Sequence, residues 1–88
     1  MTAPITQEQR YVLDVLSMGR GRHAPMAYKS AVDQTAVWVY RGHRSVTAFS
    51  LAVVEECVAR SWVAFDAKTH RYRITPAGRA KRRTTHDQ

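Results

Sequence analysis

A predicted strand runs directly into a predicted helix in the stretch Arg71-Tyr72-Arg73-Ile74-Thr75-Pro76-Ala77-Gly78-Arg79. Tyr72 and Ile74 alternate with Arg71 and Arg73, which predicts a strand with one apolar face and one basic face. Thr75 can cap the helix that follows, and proline suits the first helical position because its missing N–H is not needed there. The chain is therefore expected to change from strand to helix at Thr75.

A second strand is predicted just before this one. Val63 and Phe65 alternate with Ala64, and the polar stretch 66–70 separates this segment from residues 71–74. Two alternating segments joined by a short polar loop are typical of a β-hairpin. The outward face of this hairpin would present two arginines to solvent.

A long helix is predicted ahead of the hairpin, over residues 47–60. Thr47 can serve as its N-cap, and Phe49, Val53 and Cys57 follow at helical spacing along one apolar seam. Cys57 is accordingly expected to be a small buried apolar residue and not a reactive thiol.

The first half of the chain begins with another predicted helix. Thr6 followed by Gln9 fits a capping box ahead of an apolar face that includes Val12 and Leu16. Residues 26–40 are ambiguous, because β-branched and aromatic residues favour a strand while their spacing also fits a helix. Trp38 and Trp62 each lie among apolar neighbours and are expected to anchor the core.

This order of elements resembles the winged helix-turn-helix. Regulators of the MarR and PadR type commonly close their wing with a strand that runs into a Thr-x-x-Gly-Arg helix start, as in Thr75 to Arg79 here. They also end the preceding helix with glycine, where this chain has Ser61. The resemblance implies an α+β fold with a C-terminal two-stranded β-hairpin wing and a short last helix. It predicts a single winged-helix domain over residues 1–83 and a disordered tail over residues 84–88.

The positive charge of the chain is concentrated near its C-terminal end. The 88 residues carry 14 Lys and Arg against 7 Asp and Glu, a formal charge of +7. Residues 68–88 contain seven of the basic residues and only Asp87 as an acid, so this part alone accounts for +6. A surplus of this kind indicates a polyanionic partner.

The resemblance implies one helix in the major groove of DNA and a wing on the neighbouring phosphates. The candidate DNA-binding residues are Arg41, His43, Arg44, Thr47, Ser50, Lys68, His70, Arg71, Arg73, Arg79, Lys81, Arg82 and Arg83. Base readout needs long polar side chains on the groove helix, but its outward side carries Glu55, Glu56 and alanines. Phosphate contact is therefore better supported than sequence-specific reading.

No enzyme, cofactor or metal site is predicted. Glu55 and Glu56 are adjacent on a helix and diverge, so they cannot act together across one substrate. The four histidines and Cys57 have no spacing typical of metal sites. With one cysteine, no apolar run long enough for a membrane and no signal-peptide pattern at its start, the chain is expected to be cytoplasmic.

The sequence thus predicts a small transcriptional regulator that binds double-stranded DNA, with a homodimer as its expected assembly. The alternative is a winged-helix module for protein–protein interaction, for example a mobile-element protein acting on a host protein. That module would use an alanine-rich helix face formed by Ala48, Ala52 and Ala59. RNA binding by the basic hairpin is a third interpretation and ranks below these two.

Overall fold

The protein is built on one five-stranded antiparallel sheet. The structure, a computed structural model, describes residues 4–18, 25–42 and 44–86, with the last three described by their backbone alone. Its elements are α1 (Gln7–Leu16), β1 (Met26–Lys29), β2 (Ala36–Arg41), β3 (Arg44–Ser50), α2 (Leu51–Ala59), β4 (Val63–Asp66), β5 (Arg71–Ile74) and α3 (Pro76–His86). The strands lie in the order β3-β2-β1-β5-β4, and the predicted α+β class is confirmed.

Helix α1 begins with the predicted capping box. Thr6 Oγ1 accepts a hydrogen bond from the backbone N–H of Gln9, and Gln9 Oε1 accepts one from the backbone N–H of Thr6, both at 3.1 Å. Gln9 is buried, and its Nε2 donates to Glu56 Oε2 at 2.6 Å. The cap therefore also ties α1 to α2.

The ambiguous segment 26–40 contains two strands, and together with β3 they form a three-stranded meander. Val37 and Val39 on β2 are fully buried, opposite Phe49 on β3 and Ala27 on β1 respectively. The β-branched and aromatic residues of this segment explain why it forms strands and not a helix, because such side chains fit the half-buried surface of a sheet.

The helix predicted over residues 47–60 is wrong in its first part. Residues Arg44–Ser50 form β3, and α2 begins only at Leu51. Thr47 is therefore a strand residue and not a helix cap. The spacing of Phe49 also fits the apolar seam of a helix. In the structure its backbone pairs with β2 while its ring is buried in the core, so the strand satisfies both its backbone and its side chain.

The hairpin and the helix after it form where they were predicted. Strand β4 pairs antiparallel with β5, and α3 starts at Pro76. The expectation of a short last helix is wrong, because α3 has 11 residues and is the longest described helix. It reaches His86, within the segment 84–88 that was expected to be a disordered tail, while residues 87–88 lie outside the described part.

The helix-turn-helix part of the expectation differs from the structure. Between α1 and α2 the described chain contains strands β1 to β3, so no short turn joins two helices there. Residues 19–24 lie outside the described part. The second half keeps the expected order of a helix, a two-stranded hairpin and a final helix. None of the described helices is long and apolar enough to cross a membrane.

The two faces of the sheet differ in composition. Ala27, Val39 and Tyr72 share one face and belong to the buried core, together with residues of α1 and α2 such as Leu13 and Val54. Among the residues that the structure describes, the opposite face contributes none to that core. We call it the open face and define it by the aromatic and basic residues that point to it: Tyr28, Trp38, Tyr40, Arg71 and Arg73.

Hydrogen bonds and close packing hold the end of α2 against the start of α3, and we call this contact the junction. The backbone N–H of Ser61 donates to Val58 O and that of Trp62 to Cys57 O, each at 3.0 Å, which closes α2 in a Schellman motif. Ser61 accordingly adopts a φ of 64°, the left-handed conformation that favours glycine.

The residues that begin α3 complete the junction. Thr75 Oγ1 accepts from the N–H of Gly78 at 3.0 Å and donates to Ser61 O at 2.6 Å. A Cβ at position 78 would lie 2.1 Å from Trp62 O, so only glycine fits there. The Thr-x-x-Gly pattern is thus explained by packing between the two helix ends.

Candidate nucleic-acid interface

The turn between β4 and β5 exposes two of the candidate residues, Lys68 and His70. Asp66 organises this turn, because its Oδ1 accepts a hydrogen bond from the backbone N–H of Lys68 at 2.9 Å. That bond is the main reason why the pKa of the Asp66 carboxyl group is lowered, and Arg73 adds to the effect. The side chain of Lys68 forms no ion pair with the described residues and is accessible to solvent.

Strand β5 places Arg71 and Arg73 on the open face. Arg71 stands opposite Tyr28 on β1 and Asp66 on β4. Neither arginine forms an ion pair with a described carboxylate, and Arg71 Nε is buried without a hydrogen-bond partner. A guanidinium group carries five N–H donors in a planar arrangement that suits phosphate oxygens. Arg73, which is exposed, therefore offers N–H donors to an anion, whereas the Nε atom of Arg71 is not itself accessible.

A cavity beside β5 has a third arginine in its lining, together with the core-side residues Tyr72 and Ile74. It has a volume of about 360 Å³ and is lined by Arg71, Arg73 and Arg79, with Leu16 and Pro25 also in its wall. Arg79 comes from the first turn of α3, so the hairpin and the helix both contribute. Three arginines contribute to the lining of this cavity, and their charges favour a positive potential there.

Helix α3 also carries three further candidates, and two of them contact the protein itself. Arg82 Nε donates to Asp14 Oδ1 at 2.9 Å, which ties α3 to α1. Lys81 Nζ lies 5.7 Å from the centroid of the Trp62 ring, a cation–π contact. Arg83 is exposed. Lys81 and Arg82 thus have structural contacts that a ligand would have to compete with.

The candidates that precede β3 lie elsewhere. Strands β2 and β5 run in the same direction, because each is antiparallel to β1. Since β2 ends at Arg41 while β5 begins at Arg71, the turn that carries Arg41 and Arg44 is at the opposite end of the sheet from Lys68. His43 lies outside the described residues. The structure therefore does not bring all the predicted residues onto one surface.

Thr47 and Ser50 are not arranged as the first turn of a groove helix. Thr47 Oγ1 shares a hydrogen bond of 3.0 Å with the Tyr11 hydroxyl group. Ser50 is the N-cap of α2, but its side chain makes no capping bond. The exposed side of α2 carries Glu55 and Glu56 together with two alanines.

The alanine face proposed for a protein partner is not a single surface. Ala48 lies on β3 opposite Trp38, so it belongs to the open side of the sheet. Ala52 and Ala59 are exposed on α2, which packs on the other side. The feature that supported the protein-interaction alternative is therefore divided between two surfaces.

The open face contains aromatic residues that the sequence did not identify as a site. Trp38, expected in the core, is 39% exposed, whereas Trp62 is buried as predicted. Tyr28 stands opposite Trp38, and the ring centroids of Tyr28 and Tyr40 are 6.3 Å apart. The signal was the alternation of Trp38 with its valine neighbours, which places them on opposite faces of the strand. Because Trp38 and the valines beside it are all apolar, hydropathy alone did not show which face of the strand is buried.

The described residues contain no group of three or more His, Cys, Asp or Glu side chains that could hold a metal ion. Cys57 is fully buried, and this burial raises the pKa of its thiol to about 11, with Glu56 adding to the effect. The thiol is therefore protonated at neutral pH and behaves as the apolar residue that was predicted. Comparison with protein-family models, curated proteins and solved structures finds no match to this chain.

Proposed function

We propose that the chain binds DNA through its phosphates, using basic side chains of strand β5, the turn before it and helix α3. The observation that carries this proposal is the grouping of Arg71, Arg73 and Arg79 around one cavity. These residues lie in the part of the sequence that carries +6 of the total charge. Lys68 and Arg83, both exposed, extend the positive surface in the same part of the chain.

The proposal treats the β4–β5 hairpin as the wing of a winged-helix protein, and a role as a small transcriptional regulator rests on that resemblance. Its support is the order of α2, β4, β5 and α3 together with the Thr75–Gly78 contacts. The groove helix receives less support, because the exposed carboxylates Glu55 and Glu56 on α2 would be repelled by phosphates. We therefore expect binding that depends more on phosphates than on base sequence.

The predicted homodimer needs a surface other than the apolar side of α2. Val54 and Cys57 are fully buried, and Leu51, Val53 and Val58 pack against the same core. Strands β3 and β4 are the two edges of the described sheet, and we propose self-association through β3 because it is the longer of the two.

The first test is a salt titration with duplex DNA. Binding of a fluorescent duplex is followed by anisotropy over a range of salt concentrations, beside a second unrelated duplex and a structured RNA. We expect steep salt dependence, with a log–log slope of about 0.9 for each phosphate contact, and similar affinity for the two duplexes. A flat dependence, or a marked preference for the RNA, would contradict the proposal.

Two charge-matched double variants locate the surface. Arg71→Ala with Arg73→Ala removes two cations from β5 and should reduce the salt slope by about two units for every duplex. Arg41→Ala with Arg44→Ala removes the same charge from the other end of the sheet and should have a much smaller effect. Equal losses would show that net charge, and not the β5 surface, governs binding. Melting temperatures confirm that both proteins remain folded.

A further inference from the structure

The open face presents a row of three side chains across three strands, two of them aromatic and the third an arginine. Trp38 on β2 is followed by Tyr28 on β1 and then by Arg71 on β5, each opposite the next. Neighbouring strands lie about 4.8 Å apart, so this row is about 10 Å long. Tyr40, diagonal to Tyr28, adds a third ring beside the row. The result is a flat surface with aromatic rings at one side and guanidinium groups at the other.

This arrangement is not part of the buried core. The core cluster lies on the other face and includes none of these three aromatic residues. Trp38 has two-fifths of its surface exposed, whereas its neighbours Val37 and Val39 have none. An exposed tryptophan in the middle of a sheet face has a large apolar surface available for a partner.

The charges beside the rings indicate the chemistry of that partner. Arg71 and Arg73 form no ion pair with the described carboxylates, and Arg73 is exposed to solvent. A partner that matches both features must carry flat apolar groups and anionic groups at short, regular spacing. Nucleic acid has both, since its bases stack on aromatic side chains while its phosphates contact arginine.

An unpaired strand fits the surface better than a duplex does. In a duplex the base faces are stacked on one another and cannot reach a protein ring, whereas the bases of a single strand are free to stack on side chains. The hydroxyl group of Tyr28 donates to Met26 Sδ at 3.5 Å, so it is already engaged and the ring is the part of Tyr28 left for contact.

We infer that the open face binds single-stranded DNA, with bases stacked on Trp38, Tyr28 and Tyr40 and the backbone directed toward Arg71 and Arg73. This inference rests on the proposed function, because it assigns the same arginines to DNA phosphates. It adds that the preferred form of DNA is an unpaired strand.

The test compares a fluorescent oligodeoxythymidine of about 12 nucleotides, within the range that one small domain covers, with a duplex of the same length. We expect the wild-type protein to bind the single strand more tightly. Trp38→Ala should weaken single-strand binding by about tenfold and leave duplex binding and the salt slope unchanged. Trp38→Phe keeps an aromatic ring and should restore most of the affinity.

Phe65→Ala is the matched control. Phe65 is 41% exposed, close to the value for Trp38, but it pairs with Tyr72 and so points to the opposite side of the sheet. Its replacement should leave single-strand affinity unchanged. Melting curves of all variants verify folding, and the more conservative Trp38→Phe keeps the test valid if Trp38→Ala is destabilised.

Three outcomes would overturn the inference. Unchanged single-strand affinity in Trp38→Ala would leave duplex binding by arginine intact and remove the stacking surface. Tighter binding of the equivalent RNA would assign the face to a different nucleic acid. Dissociation of a wild-type dimer by Trp38→Ala in sedimentation, with unchanged affinity for the single strand, would identify the face as a contact between two copies. The proposed function fails separately, if the arginine double variant binds every DNA as the wild type does.

Discussion

The junction and the open face differ in how far their groups find partners within the protein. In the junction, the backbone groups of Ser61 and Trp62 have partners, and Gly78 approaches Trp62 O too closely for any side chain. On the open face, Trp38 is exposed and Arg71 Nε has no hydrogen-bond partner. One region satisfies its own groups internally, and the other leaves apolar and charged side chains exposed on one face of the sheet.

The sequence motif and the proposed binding surface therefore lie in different regions of the molecule. The Thr-x-x-Gly-Arg pattern that suggested a family is explained largely by the junction, where Thr75 and Gly78 hold two helix ends together. The aromatic residues of the open face belong to no such pattern. A sequence motif can therefore report a structural requirement, while the binding surface has to be read from the faces of the sheet.

The largest expected effect concerns the glycine of the junction. Gly78→Ala places a Cβ 2.1 Å from Trp62 O, and because that atom is backbone the helix must shift. We expect the free energy of unfolding to fall by about 3 kcal/mol, although alanine favours helices over glycine by about 1 kcal/mol. Thermal melting should show a decrease of more than about 10 °C.

Gly42→Ala is the control for that change. Gly42 has a positive φ of 64°, but a Cβ there meets no atom within 4 Å. It should cost only the conformational penalty of about 1 kcal/mol. A Gly78→Ala protein as stable as the wild type would show that the junction is looser than its distances indicate.

The next effect is the pH dependence of stability, to which Cys57 should contribute; its backbone carbonyl accepts a hydrogen bond from Trp62 in the junction. Burial raises the pKa of Cys57 from 9.0 to about 11, so the unfolded chain loses this proton first. Stability from this group is complete below pH 9 and is lost as the pH rises through 11, by about 3 kcal/mol in all.

Chemical denaturation across this pH range measures the loss. Cys57→Ala should flatten the slope, although the raised pKa of Tyr72 leaves part of the dependence in place. The variant Arg71→Ala with Arg73→Ala should keep the wild-type slope, because it leaves Cys57 and the core around it unchanged. An unchanged slope in Cys57→Ala would contradict the assignment.

The smallest expected effect is a gain in stability. Ser61 has the left-handed φ that glycine adopts at no cost, and its bond with Thr75 uses the backbone carbonyl and survives the change. Ser61→Gly should therefore raise the free energy of unfolding by about 1 kcal/mol, while Ser61→Ala should not. Melting curves measure both, and a destabilised glycine variant would show that the serine side chain has a role of its own.

The second half of the fold was predictable because its signals are local. Alternation in residues 71–74, the Thr75 cap and Pro76 identify the hairpin and the start of α3 without reference to the rest of the chain. Strand β3 was missed because Phe49 fits both a helix seam and a strand, and only its pairing with Val37 decides between them. That pairing is a tertiary contact, which no local window contains.

The basic residues of the candidate site were predictable from the sequence, whereas its exposed aromatic residues were not. The concentration of basic residues after residue 67 is visible in the sequence, and the structure brings Arg71, Arg73 and Arg79 together. Trp38 was expected in the core because its neighbours are apolar. Whether it or Val39 is buried depends on which side the helices cover, and that choice is made by the whole fold.

The pairing of β1 with β5 has a consequence for the order in which the molecule folds. It consists of two residue pairs, Ala27 with Tyr72 and Tyr28 with Arg71, which are 45 and 43 positions apart in the chain. The meander β1–β3 and the hairpin β4–β5 close over short loops and are expected to form first, because long-range pairing has the larger entropic cost. The rings of the open face come from the meander and its arginines from the hairpin. The binding surface is thus completed only by the slowest step of folding, and a chain arrested before that step has both parts of the surface but no site.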